Sequence, residues 1–371
     1  MDAPPILRRH RSLRWLAPTA VVAAIAVVGL YAGGLFRANA SAERLPPVTP
    51  EALIADVHAA GVTGFSGTAV SHMSLGLPAL PSFGAAEDNT TLLSLLSGSH
   101  TLQVWYGGED KQRIAILGAT DETDLFRDGQ NVWKWSSADR VAMHAVLPEH
   151  SRGDRGARTL PAPMSTLPAT PQSLSREVLT ALGGDTRVAV REGGQVAHRP
   201  TYDLVLKPRT DSSLIGSVQV AVDAATKLPL AVRVYPRGAT TPAVDVAYTS
   251  IRFATPADTV FSFSPPAGAT VRQWRGLIGD STTSAAGPQW RLLNSGWSTV
   301  VDYRPARPVH LGSGLLAQAL TPVAGSWGSG RLLQTSLLNV LFTKSGRILA
   351  GAVDPGVLYA AAATTATTAT K

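Results

Sequence analysis

The sequence predicts a mainly β protein of the α+β class, built on one strongly curved antiparallel sheet that is apolar on one side. Three observations predict it. Apolar and polar residues alternate with a period of two from Tyr202 to Phe263; short runs of this kind follow one another with turn residues between them; and only two amphipathic helical stretches are available to cover the sheet.

The chain has 371 residues, 44% of them hydrophobic and 16% charged, enough to bury a sizeable core. Residues 1–14 form a basic arm. From Trp15 to Phe36 no residue is charged, and a helix of that length spans a bilayer's hydrocarbon core. The bias of basic residues toward the cytoplasm then predicts a cytoplasmic amino terminus and an extracytoplasmic body. Ala38-Asn39-Ala40 also fits a signal-peptidase site, so the expectation is either a retained transmembrane anchor over 15–36 or a secreted chain cut after Ala40. Residues 37–47 read as a tether.

Thr49-Pro50-Glu51 opens the first helix with a capping hydroxyl, a first-turn proline and an acid at the positive end of the dipole. Leu53, Ile54 and Val57 make its apolar stripe, and Gly61 ends it. Strands are expected over Phe65 to Val70, Leu102 to Tyr106, Arg113 to Leu117, Thr123 to Arg127, Val132 to Trp135 and Arg140 to Val146, with Asp128-Gly129 as a hairpin turn. Between the first two lies an insertion, Ser71 to His100. Its apolar residues Met73, Leu75, Leu77, Leu80 and Phe83 suit either a flap at a cavity rim or a surface loop folded on itself. A second helix starts at Thr170-Pro171 and carries Leu174, Val178 and Leu182.

The clearest strands follow. Tyr202, Leu204 and Leu206, then Val218, Val220 and Val222, then Leu230, Val232 and Val234 each share a face, and Val244, Val246 and Tyr248 followed by Phe261 and Phe263 continue the meander. Residues 274–289 read as a linker to a small β-rich module over 290–362. Strands there are expected over Trp290 to Val301 and as a hairpin from Leu337 to Val353 turning at Lys344-Ser345-Gly346, before a short helix capped by Asp354-Pro355. Gly325 to Gly330 reads as a loop, and residues 363–371 are a low-complexity tail.

Composition excludes several classes of function. Of the formal charge of +7, the arm and Arg37 carry +4, and the remainder is too dilute to track a nucleic-acid backbone. Cysteine is absent, which removes disulfides, thiolate metal sites, cysteine nucleophiles and the lipid-modified cysteine of a lipoprotein. No nucleophile elbow, zinc-protease helix, phosphate loop or dinucleotide fingerprint occurs, and the histidines are scattered, so neither a catalytic residue nor a metal or other cofactor is expected.

Three stretches carry a family resemblance. Leu125-Phe126-Arg127-Asp128-Gly129-Gln130-Asn131-Val132-Trp133-Lys134-Trp135 resembles the strand, Asp-Gly turn and Trp-containing strand of LolA-like lipoprotein carriers. Tyr202 to Arg209 with Gly216 to Val234 resembles their paired strands, and Phe261 to Val271 their closing strand. The resemblance covers residues 48–273 and implies an unclosed half-barrel of about eleven antiparallel strands covered by helices, holding lipid, acyl chains or an acylated protein without catalysis. Two helices cover such a sheet incompletely, which leaves either a cavity or a core closed by other packing. The residues expected to line a cavity are Phe65, Val104, Ile114, Ile116, Trp133, Trp135, Tyr202, Leu204, Leu206, Val218, Val220, Val232, Val234, Phe261 and Phe263, although two tryptophans on one strand face serve equally as core. A half-barrel followed by a small module is also the layout of RseB or MucB-type sensors, which implies an anti-sigma or other envelope protein as the alternative partner.

Overall fold

A computed structural model describes residues 45–76, 97–118, 120–147, 170, 172, 184–274, 289–305 and 318–364, and every secondary-structure element below lies in the compact unit Pro47–Lys371. The expected transmembrane span 15–36, flap residues Leu77, Leu80 and Phe83, the body of the second helix, most of the linker and the tail fall outside the described residues. Among the described residues no helix is long and apolar enough to cross a membrane.

Helix α1 spans Pro50–Ala59. The Thr49 hydroxyl accepts a hydrogen bond from the Ala52 amide at 3.3 Å, and Leu53 is fully buried. At the other end the His58 ring Nδ1 donates to the Ile54 carbonyl at 2.8 Å, folding the ring back along the last turn.

Twelve strands then form one unclosed sheet: β1 Phe65–Ser74, β2 Ser97–Tyr106, β3 Lys111–Leu117, β4 Glu122–Asp128, β5 Asn131–Ser136, β6 Val141–Val146, β7 Thr186–Val196, β8 Arg199–Pro208, β9 Ile215–Asp223, β10 Pro229–Pro236, β11 Val244–Arg252 and β12 Thr270–Gln273. The spatial order β12-β6-β5-β4-β3-β2-β1-β11-β10-β9-β8-β7 joins two meanders where β1 pairs with β11. The sheet is strongly curved at one end, because β7 returns to within 8 Å of β11, Cα to Cα, although three strands lie between them.

Among the described residues the large sheet has twelve strands, in line with the expected eleven or so. Three sequence expectations need correction. The sheet is not wholly antiparallel, since β12 runs parallel to β6 from Thr270 opposite Val141 to Gln273 opposite His144. Phe261 and Phe263 belong to no strand; a short 3-10 turn at Asp258–Val260 precedes them, and Pro265-Pro266, lacking amide donors, suit a crossing segment better than a ladder. Met73 lies within β1, paired with Gly98, so the insertion starts after Ser74 and ends before Ser97.

Turn chemistry sets the hairpin registers. Asp128 pairs with Asn131 across Gly129 and Gln130, with Gly129 at φ +61°. Between β7 and β8 the two-residue turn is Ala197-His198, both at positive φ (+50° and +60°), where side chains are strained. Replacing the pair by Asn-Gly is expected to stabilise the protein by about 1 kcal/mol, read as a higher midpoint of thermal unfolding.

The second sheet is formed by β13 Gln289–Leu293, β14 Val300–Arg304, β15 Leu320–Gly325, β16 Gly328–Gln334, β17 Asn339–Thr343 and β18 Ile348–Gly351, in the order β13-β14-β18-β17-β16-β15. Two expectations change here too: the stretch from Trp290 to Val301 is two paired strands, and the glycine-rich stretch from Gly325 to Gly330 is a hairpin. Helix α2, Pro355–Ala363, packs Leu358, Ala361 and Ala362 on Leu332, Leu341 and Leu349. The two sheets are stitched together by an isolated bridge between Ser213 and Val353, by the Asp354 amide donating to the Ser212 carbonyl at 3.0 Å, and by an Arg237–Asp354 ion pair at 2.7 Å.

Candidate functional site

Antiparallel partners share a face, so the registers assign every side chain of the large sheet to one of two sides. Leu204 pairs with Val220, Val220 with Val232 and Val232 with Val246; on the other side of the β1–β11 seam Leu102 pairs with Ile116 and Val104 with Ile114, which pairs with Leu125. Ala69, opposite both Tyr248 and Leu102, joins the two halves into one continuous apolar face. Leu204, Val220, Val232 and Val246 have no exposed surface at all.

Of the sequence-predicted residues, Phe65, Val104, Ile114, Ile116, Tyr202, Leu204, Leu206, Val218, Val220, Val232 and Val234 lie on this face. Trp133 and Trp135 do not. They pair with Phe126 and Asp124 and point to the opposite side, whereas Lys134, paired with Leu125, takes the position on the apolar face. Phe263 joins the tryptophans there: its ring stacks on Phe126 at 4.8 Å and tilts against Trp133 at 5.5 Å and Trp135 at 6.0 Å. Arg113 extends the row, with its guanidinium 4.7 Å from the Trp105 ring centre and 4.8 Å from that of Phe126 while its Nε donates to Asp124 at 2.8 Å. Every member of this row has a partner inside the protein. Phe261, 1% exposed, lies against Gly107, where any added Cβ would come within 3.0 Å of its ring.

The opposite side of β8 to β11 sets charged residues among the buried small residues Val205, Ala221 and Ala231. Arg191 pairs with Asp203 at 3.8 Å and Arg233 with Asp245 at 3.4 Å. Burial pushes the Asp203 carboxyl above the usual carboxylate range, against the pull of Arg191 and Arg233. The Asp203 and Asp245 side chains are only 19% and 29% exposed, so these pairs are partly shielded from water and mark the polar side of the sheet.

Helix α1 lies against β7. The segment at Thr170 reaches Tyr248: the phenol hydroxyl donates to the Gln172 side-chain oxygen at 2.8 Å, and the Gln172 amide nitrogen donates to the Pro229 carbonyl at 2.8 Å. Burial raises the Tyr248 phenol well above its ordinary pKa, the hydrogen bond to Gln172 offsetting part of it, so the group stays a neutral donor. Sequence reasoning missed this latch. Tyr248 reads as one more strand residue, and nothing along the chain links it to a glutamine 76 positions earlier.

Two cavities lie elsewhere. One of about 420 Å³ is bounded by the link from Gly61 to Gly64 together with Thr226 and Phe253; the other, about 560 Å³, belongs to the small sheet. Neither is lined by Leu204, Val220, Val232 or Phe263. Among the described residues no group of three or more histidines and carboxylates is placed to hold a metal ion.

No family model matches the chain, and no curated protein matches its sequence. Solved structures do. A complex of MucA and MucB from Pseudomonas aeruginosa is similar over 84% of this chain and 96% of that one, at 14% identity and a TM-score of 0.43. A LolA superfamily protein from Nitrosomonas europaea is similar over 58% of this chain and 99% of that one, at 13% identity and a TM-score of 0.22. An uncharacterized conserved protein from Thermus thermophilus is similar over 60% of this chain and 98% of that one, at 9% identity and a TM-score of 0.34.

Proposed function

We propose that this chain is a LolA-like, non-enzymatic binding protein that works outside the cytoplasm and takes up lipid, an acyl chain or an acylated protein on the apolar face of its twelve-stranded sheet. The observation that carries the reading is the length of that face, which runs from Leu206 on β8 through Val246 and Leu102 to Leu125 on β4, whereas the described helix α1 has ten residues and touches the sheet at β7. An acyl chain laid on it gains about 0.8 kcal/mol for each buried methylene, so binding needs no reaction and little specificity.

Because Leu204, Val220 and Val232 are already buried, a ligand must displace what covers them. In this reading the Tyr248–Gln172–Pro229 latch is what opens. Removing the hydroxyl with Tyr248→Phe is expected to cost about 1–2 kcal/mol of stability and to speed release of a fluorescent fatty acid several-fold. Organic extraction of the purified chain is expected to yield acyl-chain compounds. An empty extract, with a fatty acid that fails to bind wild type, would sink the carrier reading.

A sensor of the RseB or MucB type is the second reading, favoured by the stitching of the small sheet to the β8–β9 connection at Ser212, Ser213 and Leu214. Movement of β8 and β9 on ligand binding would reach the small sheet through that bridge. Cross-linking that captures an envelope protein only in the lipid-loaded state would support it over simple carriage.

A further inference from the structure

The small sheet has two faces as well, and only one lies beneath α2. Leu332, Leu341, Leu349 and Asp302 share the side packed against the helix. On the other side Pro322 pairs with Arg331, Arg331 with Phe342, Phe342 with Ile348 and Ile348 with Tyr303. Leu292 and Val301, paired with each other on this same side, are 58% and 39% exposed. The 560 Å³ cavity is a groove over this side, bounded by Pro322, Arg331, Phe342 and Ile348 with exposed Lys344 at its border. That volume is in the range of small-molecule sites, roughly 300–1,000 Å³.

Charge says which end of a ligand would lie where. Residues 289–364 contain just two acids, Asp302 and Asp354. Both are taken up internally, Asp302 by Arg347 and Arg291 and Asp354 by Arg237. Arg331 and Lys344 therefore stand beside an apolar floor with no carboxylate of their own module left to neutralise them. The groove joins an apolar trough to an unbalanced pair of cations. A peptide strand is a poorer occupant, because the edge strand β15 carries Pro322, which has no amide to donate.

We propose that this groove binds a single-chain anionic amphiphile, with the hydrocarbon along Phe342 and Ile348 and the charged head toward Arg331 and Lys344. It is a second site, separate from the apolar face of the large sheet.

The test is photolabelling of the full chain in uncharged detergent with diazirine-tagged palmitate or its methyl ester, followed by mapping of the adducts. Palmitate is expected to label β15 to β18 at least tenfold more than the ester. Arg331→Gln with Lys344→Gln, both exposed positions, should reduce that labelling to the ester's level without moving the thermal midpoint. Equal labelling by the two probes, labelling that survives the double substitution, or displacement of palmitate by an equimolar acidic peptide would each overturn the proposal. Adducts confined to β8–β11 would overturn it too, while leaving the carrier reading in place.

Discussion

Asp302→Ala is expected to destabilise the carboxyl-terminal module by about 3–5 kcal/mol, the cost of leaving a buried partner charge uncompensated. Asp302 is 1% exposed, and it accepts hydrogen bonds at 3.1 Å from Nε and at 3.1 Å from Nη2 of Arg347. The same guanidinium donates to the carbonyls of Ala362 at 2.9 Å and Ala361 at 3.2 Å, so it also closes the last turn of α2. Arg291 adds a 2.6 Å contact to Asp302, but its side chain is 42% exposed and contributes less. Without the carboxylate, Arg347 stays inside with two carbonyls for company. Asp302→Leu combined with Arg347→Met should recover much of the loss, since an apolar pair of similar size removes both desolvation costs. Thermal unfolding of the single and double variants measures this; a double variant as unstable as Asp302→Ala would mean that helix closure by Arg347, not charge pairing, dominates.

Asp223→Ala is expected to cost about 3 kcal/mol, because one fully buried carboxylate holds both a turn and an arginine. Its Oδ1 accepts from the Ala225 amide at 3.1 Å, the Thr226 amide at 2.7 Å and the Thr226 hydroxyl at 2.9 Å, which shapes the β9–β10 turn. Both oxygens also accept from Arg199, whose guanidinium stacks on Phe253 at 4.7 Å. For Asp223 and Asp302 alike, burial pushes the carboxyl up, and the hydrogen bonds and charge of the arginines, joined at Asp223 by the Thr226 amide and hydroxyl, outweigh it, so the folded pKa is lowered. A lowered folded value gives stability that is complete above the unfolded carboxylate pKa, about 3.9, and is lost as pH falls through the folded value. Urea midpoints should therefore hold from neutral pH to about pH 5 and drop below about pH 4. Asp223→Asn and Asp302→Asn should flatten that drop; an unchanged acid limb would locate acid sensitivity elsewhere.

How much of this was legible in the sequence differs between the two halves of the large sheet. Strands β8 to β11 were legible because one side is valine, leucine and tyrosine while the other carries Asp203, Gln219, Arg233 and Asp245, so the alternation names the buried side. Strand β5 was not. Val132-Trp133-Lys134-Trp135 alternates too, yet the larger apolar residues face away from the sheet's apolar side and Lys134 faces toward it. Alternation tells which residues share a side; pairing partners alone tell which side that is. The Phe-Ser-Phe segment failed for a related reason, since two aromatics at spacing two suit a strand equally well as a crossing segment whose Phe263 packs flat on Phe126.

The sequence by itself determined the mainly β class, the start of α1, the hairpins at Asp128-Gly129 and Lys344-Ser345-Gly346 and the absence of cysteine chemistry, because each rests on local geometry or composition. The tertiary structure decided everything that needs two distant segments to meet: the parallel β12–β6 pair, the Tyr248–Gln172 latch, the Asp302–Arg347 and Asp223–Arg199 pairs, and the charged groove of the small sheet. Those contacts join residues as much as 129 positions apart, as Thr270 and Val141 are, and hydrophobic periodicity carries no information on which distant partner a side chain will find.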